Sequence, residues 1–126
     1  MDQHPSDRTL DQRRRNRIIG VVGWLADARG FLASVGFVEF FEQFYDFVPH
    51  ANDGAIPQNS TFTEEEYHFL GELRDVMDAA CDATPSEMSE ADFLLTRWPD
   101  RIQPVARATL SKLEERGRFS EDHEEL

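Results

Sequence analysis

The stretch GFVEFFEQFYDFVP, residues 36–49, decides how this chain folds. A helix would gather its apolar residues on one face with i, i+3, i+4, i+7 spacing, at Phe37, Phe40, Phe41, Phe44 and Val48. A strand would place Phe40 and Phe41 on opposite faces, which favours the helix. So much aromatic surface needs neighbours on several sides. We therefore predict a central helix that Pro49 closes.

Further helices are predicted on both sides of this segment. The first runs from a cap at Thr9 to about Arg29, with a short strand over 17–22 as the alternative and a turn over 30–34 after it. The clearest start is Thr63, which forms a capping box with Glu66, flanked by Phe62 and Tyr67 at the hydrophobic-staple positions. That helix ends near Asp82, and helices over about 86–97 and 99–116 follow.

The predicted fold is all-α. We expect a compact single-domain bundle over residues 1–126, with four to five helices around the phenylalanine-rich helix and flexible tails at 1–8 and 120–126. The longest loop, PHANDGAIPQNS at 49–60, contains the turn sequence Asn-Asp-Gly and His50. Loops of this length are often functional or mobile.

Composition is typical of an ordinary globular protein, with 40% hydrophobic and 30% charged residues. A single cysteine, Cys81, excludes an internal disulfide and fits a reducing compartment, so we expect a cytoplasmic protein. A signal peptide over the arginines at 13–17 and the apolar run 18–26 is the alternative, and the acidic residues and glycines of this segment count against it. A span over 18–38 would bury Asp27 and Arg29, so no membrane association is predicted.

Charge is distributed unevenly along the chain. The net charge is −12, and residues 33–92 contain fourteen acidic residues against the single basic residue Arg74. The first 17 residues instead contain five arginines and three aspartates. The negative field of the acidic segment repels nucleic acid and anionic membrane and favours cationic partners.

A metal site is one candidate for chemistry. His68, Glu72 and Asp75 follow i, i+4, i+7 spacing on the third predicted helix, with His50 as a further ligand from the loop. No complete metal motif is present, because the Glu-x-x-His spacing occurs once where paired bundle sites need it twice. A solvated helix face is the simpler interpretation, and no cofactor is predicted.

Two further chemistries have weaker support. Cys81 lies on the apolar side of its helix, and the chain has neither a nucleophile motif nor a glycine-rich phosphate loop, so an enzyme is not the favoured interpretation. Arg13, Arg14, Arg15 and Arg17 could contact phosphate in a nucleic-acid-associated regulator. On a helix, however, they spread around most of the circumference, and the acidic remainder of the chain repels a polyanion.

The preferred hypothesis uses the acidic helix faces. We expect a small interaction module that binds or neutralises a basic protein, as an immunity protein, an antitoxin or a regulator does. The residues predicted to contact the partner are Glu39, Glu42, Asp46, Glu72, Asp75, Asp78 and Asp82. A homo-oligomer is the further option, because a second copy would cover aromatic surface left over from the core.

Overall fold

The computed structural model describes residues 4–125, and the predictions that concern residues 1–3 and 126 lie outside that range. Its described part contains six α-helices and no strand, which confirms the all-α bundle with one helix more than the predicted four to five. The helices are α1 Asp7–Leu25, α2 Ala28–Val35, α3 Phe37–Tyr45, α4 Glu64–Asp82, α5 Glu90–Leu95 and α6 Trp98–Glu114.

The first predicted helix is divided into two. α1 begins after Ser6, whose Oγ accepts a hydrogen bond from the backbone N–H of Thr9 at 3.1 Å, so the cap predicted at Thr9 is wrong by three residues. The chain then bends by 102° at residues 26–27 and continues as α2. Residues 30–34, predicted as a turn, are therefore helical and bury Phe31 and Leu32. The alternative strand at 17–22 is also wrong, because these residues lie inside α1.

The phenylalanine-rich segment forms a shorter helix than predicted. α3 ends at Tyr45, four residues before Pro49, and Phe40 and Phe44 are its two fully buried residues. Phe40 packs against Phe31 of α2 and Phe93 of α5, with ring centroids 5.7 and 5.9 Å apart. The segment therefore joins three helices through aromatic contacts, which are worth roughly 0.5–1.5 kcal/mol per pair beyond their burial.

A buried charged network connects both ends of the chain. Arg15 of α1 is fully buried, and its Nη2 lies 2.8 Å from Oε2 of Glu66 in the first turn of α4. Arg116, which follows α6, also donates to Glu66. The predicted capping box is present, because Glu66 accepts from the Thr63 N–H while Thr63 caps the Glu66 N–H. Glu66 thus belongs both to the capping box at the start of α4 and to the buried ion pair with Arg15.

The C-terminal segment lies along α1. Gln12 donates to the carbonyls of Ser120 and His123 at 2.8 and 2.7 Å, and Asn16 donates to the carbonyl of Phe119 at 2.8 Å. Residues 120–125, predicted to be a flexible tail, thus carry specific hydrogen bonds to the bundle. The Phe119 ring also lies 4.8 Å from the guanidinium carbon of Arg15, within cation–π distance.

No single helix within residues 4–125 has the length and apolar character of a membrane span. Only α1 and α2 taken together meet those criteria, across their 102° bend.

Candidate functional site

The acidic segment 33–92 presents most of its charge to solvent. Of its fourteen carboxylates, Glu66 and Asp78 are buried and the other twelve are exposed. We call these twelve the acidic surface: Glu39, Glu42, Asp46, Asp53, Glu64, Glu65, Glu72, Asp75, Asp82, Glu87, Glu90 and Asp92. They belong to α3, the loop after it, α4, and α5 with the turn before it.

This acidic surface is poorly neutralised by the protein itself. Within residues 4–125, Glu65 is its single member that pairs with a lysine or arginine, through Lys112 of α6. The side chains of Glu42, Asp46 and Asp75 form neither an ion pair nor a hydrogen bond within that range. Many arginines are instead bound to backbone carbonyls, as Arg74 is to Gly54 at 3.0 Å. The negative potential of the segment is therefore directed at solvent.

Three hydrogen-bonded contacts join the acidic helices and the loop. Tyr45 at the end of α3 donates its hydroxyl to Asp78 of α4 at 2.7 Å. The other Asp78 oxygen accepts from the Ala51 N–H at 3.0 Å, and His50 Nε2 lies 2.9 Å from Asp82. Asp78 is only 8% exposed, so we exclude it from the predicted partner-contacting residues. Its role is to attach the loop and α3 to α4.

These surroundings alter the protonation of three neighbouring groups. Burial, together with the hydrogen bond to Asp78, raises the pKa of Tyr45, which therefore remains a neutral donor. Burial and the charges of Asp82 and Asp78 raise the pKa of Cys81, which keeps it a thiol rather than a nucleophilic thiolate at neutral pH. The hydrogen bond to Asp82 raises the pKa of His50, against an opposing effect of burial.

The predicted metal ligands do not converge. His68 and Glu72 contact each other at 3.0 Å on the exposed side of α4, and Asp75 lies one turn further along. His50 is bound to Asp82 instead of joining them. Within residues 4–125 no three His, Cys, Asp or Glu side chains are arranged to hold a metal ion.

The arginines at 13–17 have separate roles. Arg15 is buried, with all five of its N–H groups donated to Glu66 and to the carbonyls of Thr61, Leu113 and Gly117. Arg13 donates to the carbonyl of Glu121 at 2.8 Å. Arg14 and Arg17 remain exposed. Two exposed cations make a small phosphate-binding surface beside twelve exposed carboxylates, so the geometry does not favour nucleic-acid binding.

Comparison with known proteins does not assign this chain to a family. No family model, no curated protein and no solved structure matches this chain significantly.

Sequence reasoning missed the burial of Asp78 and the exposed groove beside Trp24 described below. Asp78 belongs to an acidic run and carries no local sign of burial, since its partners Tyr45 and Ala51 are 33 and 27 residues away. The burial of Arg15, by contrast, could be predicted from helical spacing. Arg15 lies three, four and seven residues before Ile18, Ile19 and Val22, on their helix face.

Proposed function

We propose that this protein is a charge-steered interaction module that binds a basic protein through the acidic surface of α3 and α4. The observation that carries the proposal is the exposure of twelve of the fourteen carboxylates in residues 33–92. Among these twelve, Glu65 alone pairs with a lysine or arginine in the part of the chain that the structure describes. Concentrated charge of one sign raises association rates with oppositely charged partners and suppresses binding of the wrong ones.

The arrangement of α3 and α4 supports a protein partner. The hydroxyl of Tyr45, at the end of α3, donates to Asp78 of α4 at 2.7 Å, which links the helix that carries Glu42 to the helix that carries Asp75. Carboxylates on a preorganised backbone suit the spaced lysines and arginines of a folded basic protein, because little backbone freedom is lost on binding. A protein that neutralises a basic nuclease or toxin, or that fills the nucleic-acid-binding groove of a basic protein, requires an acidic surface.

The experiment compares three baits immobilised in equal amounts and exposed to native lysate at low salt. The first is the wild-type protein, and the second carries Glu42→Gln, Asp46→Asn and Asp75→Asn. The third is a matched control with Asp7→Asn, Asp122→Asn and Glu124→Gln, all exposed and outside the acidic surface. Both triple variants make the net charge of −12 less negative by three, so they differ in position and not in total charge.

We expect wild-type and control baits to retain the same basic protein, identified by mass spectrometry, and the first triple variant to lose most of it. An equal loss in the two triple variants would show that total charge, and not this surface, attracts the ligand. Equal retention by all three baits would show that these carboxylates do not attract it. Failure of the wild-type bait to retain any basic protein would contradict the proposal.

A further inference from the structure

An open groove runs along the solvent side of α1 and reaches Gln43 of α3, whose side chain donates to Glu39 at 2.9 Å. Its volume is about 880 Å³, and its walls include Phe47 after α3 and Leu110 of α6. Gly20 and Gly23 line its floor, and Trp24 lies where it meets a second depression of about 490 Å³ that contains Asp27. The groove is therefore a continuous concave surface over the second half of α1.

Trp24 is the unusual residue of this surface. It is 49% exposed, although it stacks on Phe31 with ring centroids 5.3 Å apart. Tryptophan provides a large apolar area and an indole N–H donor, and it is enriched in protein interfaces for that reason. A half-exposed tryptophan in a groove that combines apolar residues with charged ones such as Arg17 and Glu114 is typical of a contact surface.

The floor of the groove is open down to the helix backbone. A Cβ added at Gly23 would meet no atom within 4 Å, and one at Gly20 would meet only the Arg118 guanidinium at 3.9 Å. Other residues would fit the fold at both positions and favour the helix more than glycine does. The two glycines thus leave room for a side chain that comes from outside the fold.

The charges at the two ends of this stripe are self-complementary. Arg17, Gly20 and Trp24 follow i, i+3, i+7 spacing on the exposed side of α1, and Asp27 follows just after the helix ends. Neither Arg17 nor Asp27 forms an ion pair or a side-chain hydrogen bond within residues 4–125. In an antiparallel pair of such helices centred midway between Gly20 and Trp24, Arg17 of one copy lies just beyond the end of α1 of the other, where Asp27 stands at the bend.

We propose that a second copy of this chain docks here in an antiparallel, two-fold arrangement, with Trp24 of each copy over the Gly20–Gly23 floor of the other. Two-fold symmetry makes every contact occur twice, so the interface contains two tryptophan contacts and two Arg17–Asp27 ion pairs. Arg17 and Arg118 line the groove together with Glu114 and Glu121. Because these charges balance, the groove lacks the excess negative charge that the basic partner proposed for the acidic surface requires. None of Glu42, Asp46 and Asp75 lines either depression.

The first test is sedimentation equilibrium at moderate salt over about a hundredfold range of protein concentration. The average mass should rise from 14.5 kDa towards twice that value as concentration increases. Gly20→Leu should fold, as circular dichroism will report, and remain at the monomer mass because the new side chain occupies the floor. A wild-type mass that stays at 14.5 kDa over the whole range would overturn the proposal.

The second test is a charge exchange. Arg17→Asp and Asp27→Arg should each weaken the dimer about tenfold or more, because each places like charges opposite one another. An equimolar mixture of the two variants should restore dimerisation. In the mixed dimer the new aspartate faces the new arginine, and the native Asp27 of one copy faces the native Arg17 of the other. Arg14→Asp is the control and should dimerise like the wild type, because Arg14 lines a separate depression with Asp11 and Tyr67. Folded single variants that dimerise normally, or a mixture that stays monomeric, would refute the antiparallel register.

Discussion

Glu66 shows how one side chain links local and long-range structure. Burial would raise its pKa, but hydrogen bonds from Arg15, Arg116 and the Thr63 N–H outweigh burial and lower the pKa to about 2. Relative to an ordinary value of 4.5, this shift corresponds to about 3 kcal/mol of stability at neutral pH. The contribution is fully present above pH 5 and is lost as pH falls towards 2, because the unfolded chain then binds the proton first.

We predict that Glu66→Gln destabilises the protein by about 3–5 kcal/mol at pH 7, because Arg15 would remain charged and buried without its carboxylate. Urea denaturation at pH 7 and at pH 3 measures the effect, which should shrink at the lower pH. The adjacent Glu65→Gln is the control, since Glu65 is exposed and lies outside the buried network. An equal loss of stability in the two variants would disprove the account of Glu66.

His50 provides a second test at the level of a residue. Its raised pKa depends mainly on the hydrogen bond to Asp82, with smaller contributions from the charges of Asp78 and Asp53. We predict that Asp82→Asn lowers the His50 midpoint in an NMR titration more than Asp53→Asn does. The His50–Asp82 contact favours protonated His50, so its contribution to the free energy of unfolding should be complete below about pH 6.5. This contribution should disappear as pH rises through the pKa of His50 in the folded protein. A larger effect of Asp53→Asn would contradict this assignment.

At the level of the elements, two glycines should respond in opposite directions. Gly71 lies inside α4, and an added Cβ there would meet no atom within 4 Å. Gly36 joins α2 to α3 with φ of 86°, a conformation that other residues rarely adopt. We predict that Gly71→Ala stabilises the protein by about 0.5–1 kcal/mol and that Gly36→Ala destabilises it by at least about 1 kcal/mol.

Thermal denaturation of these two variants in parallel, at the same protein concentration, gives the comparison. Changes in melting temperature of the same sign would show that backbone conformation does not determine the effect of substitution at Gly36 and Gly71.

The elements also show what the sequence could predict. The start of α4 was predictable because Thr63, Glu66, Phe62 and Tyr67 lie within six consecutive residues, and the rings of Phe62 and Tyr67 do pack at 5.5 Å. The bend after α1 was not predictable, because residues 26–27 contain neither proline nor glycine while Gly30 resembles a helix end.

The candidate site also has features that the sequence predicts and features that it does not. The exposure of Glu42, Asp46 and Asp75 followed from helix periodicity, since each lies opposite the apolar face of its own helix. The burial of Asp78 and the attachment of His50 depend on how the loop folds back on α4, over 27 to 32 residues. Contacts over such distances leave no periodic signal in the sequence.

At the level of the whole molecule, the two proposed surfaces differ in chemistry. Binding through the acidic surface is electrostatic and should weaken steeply with salt, whereas the groove on α1 combines apolar contact with two ion pairs. The two proposals can therefore fail independently. Neutralising Glu42, Asp46 and Asp75 should leave dimerisation intact, and Gly20→Leu should leave capture of the basic partner intact.

The most direct test of the central claim is the association rate of the captured basic protein as a function of ionic strength, measured by stopped flow. For the wild-type protein we predict a fall of about tenfold or more between low and high salt. The Glu42→Gln, Asp46→Asn, Asp75→Asn variant should associate more slowly at low salt and depend less on salt, while the control triple variant should follow the wild type. A wild-type rate that is independent of salt, or identical salt dependence in all three proteins, would contradict the claim that the acidic surface steers the partner.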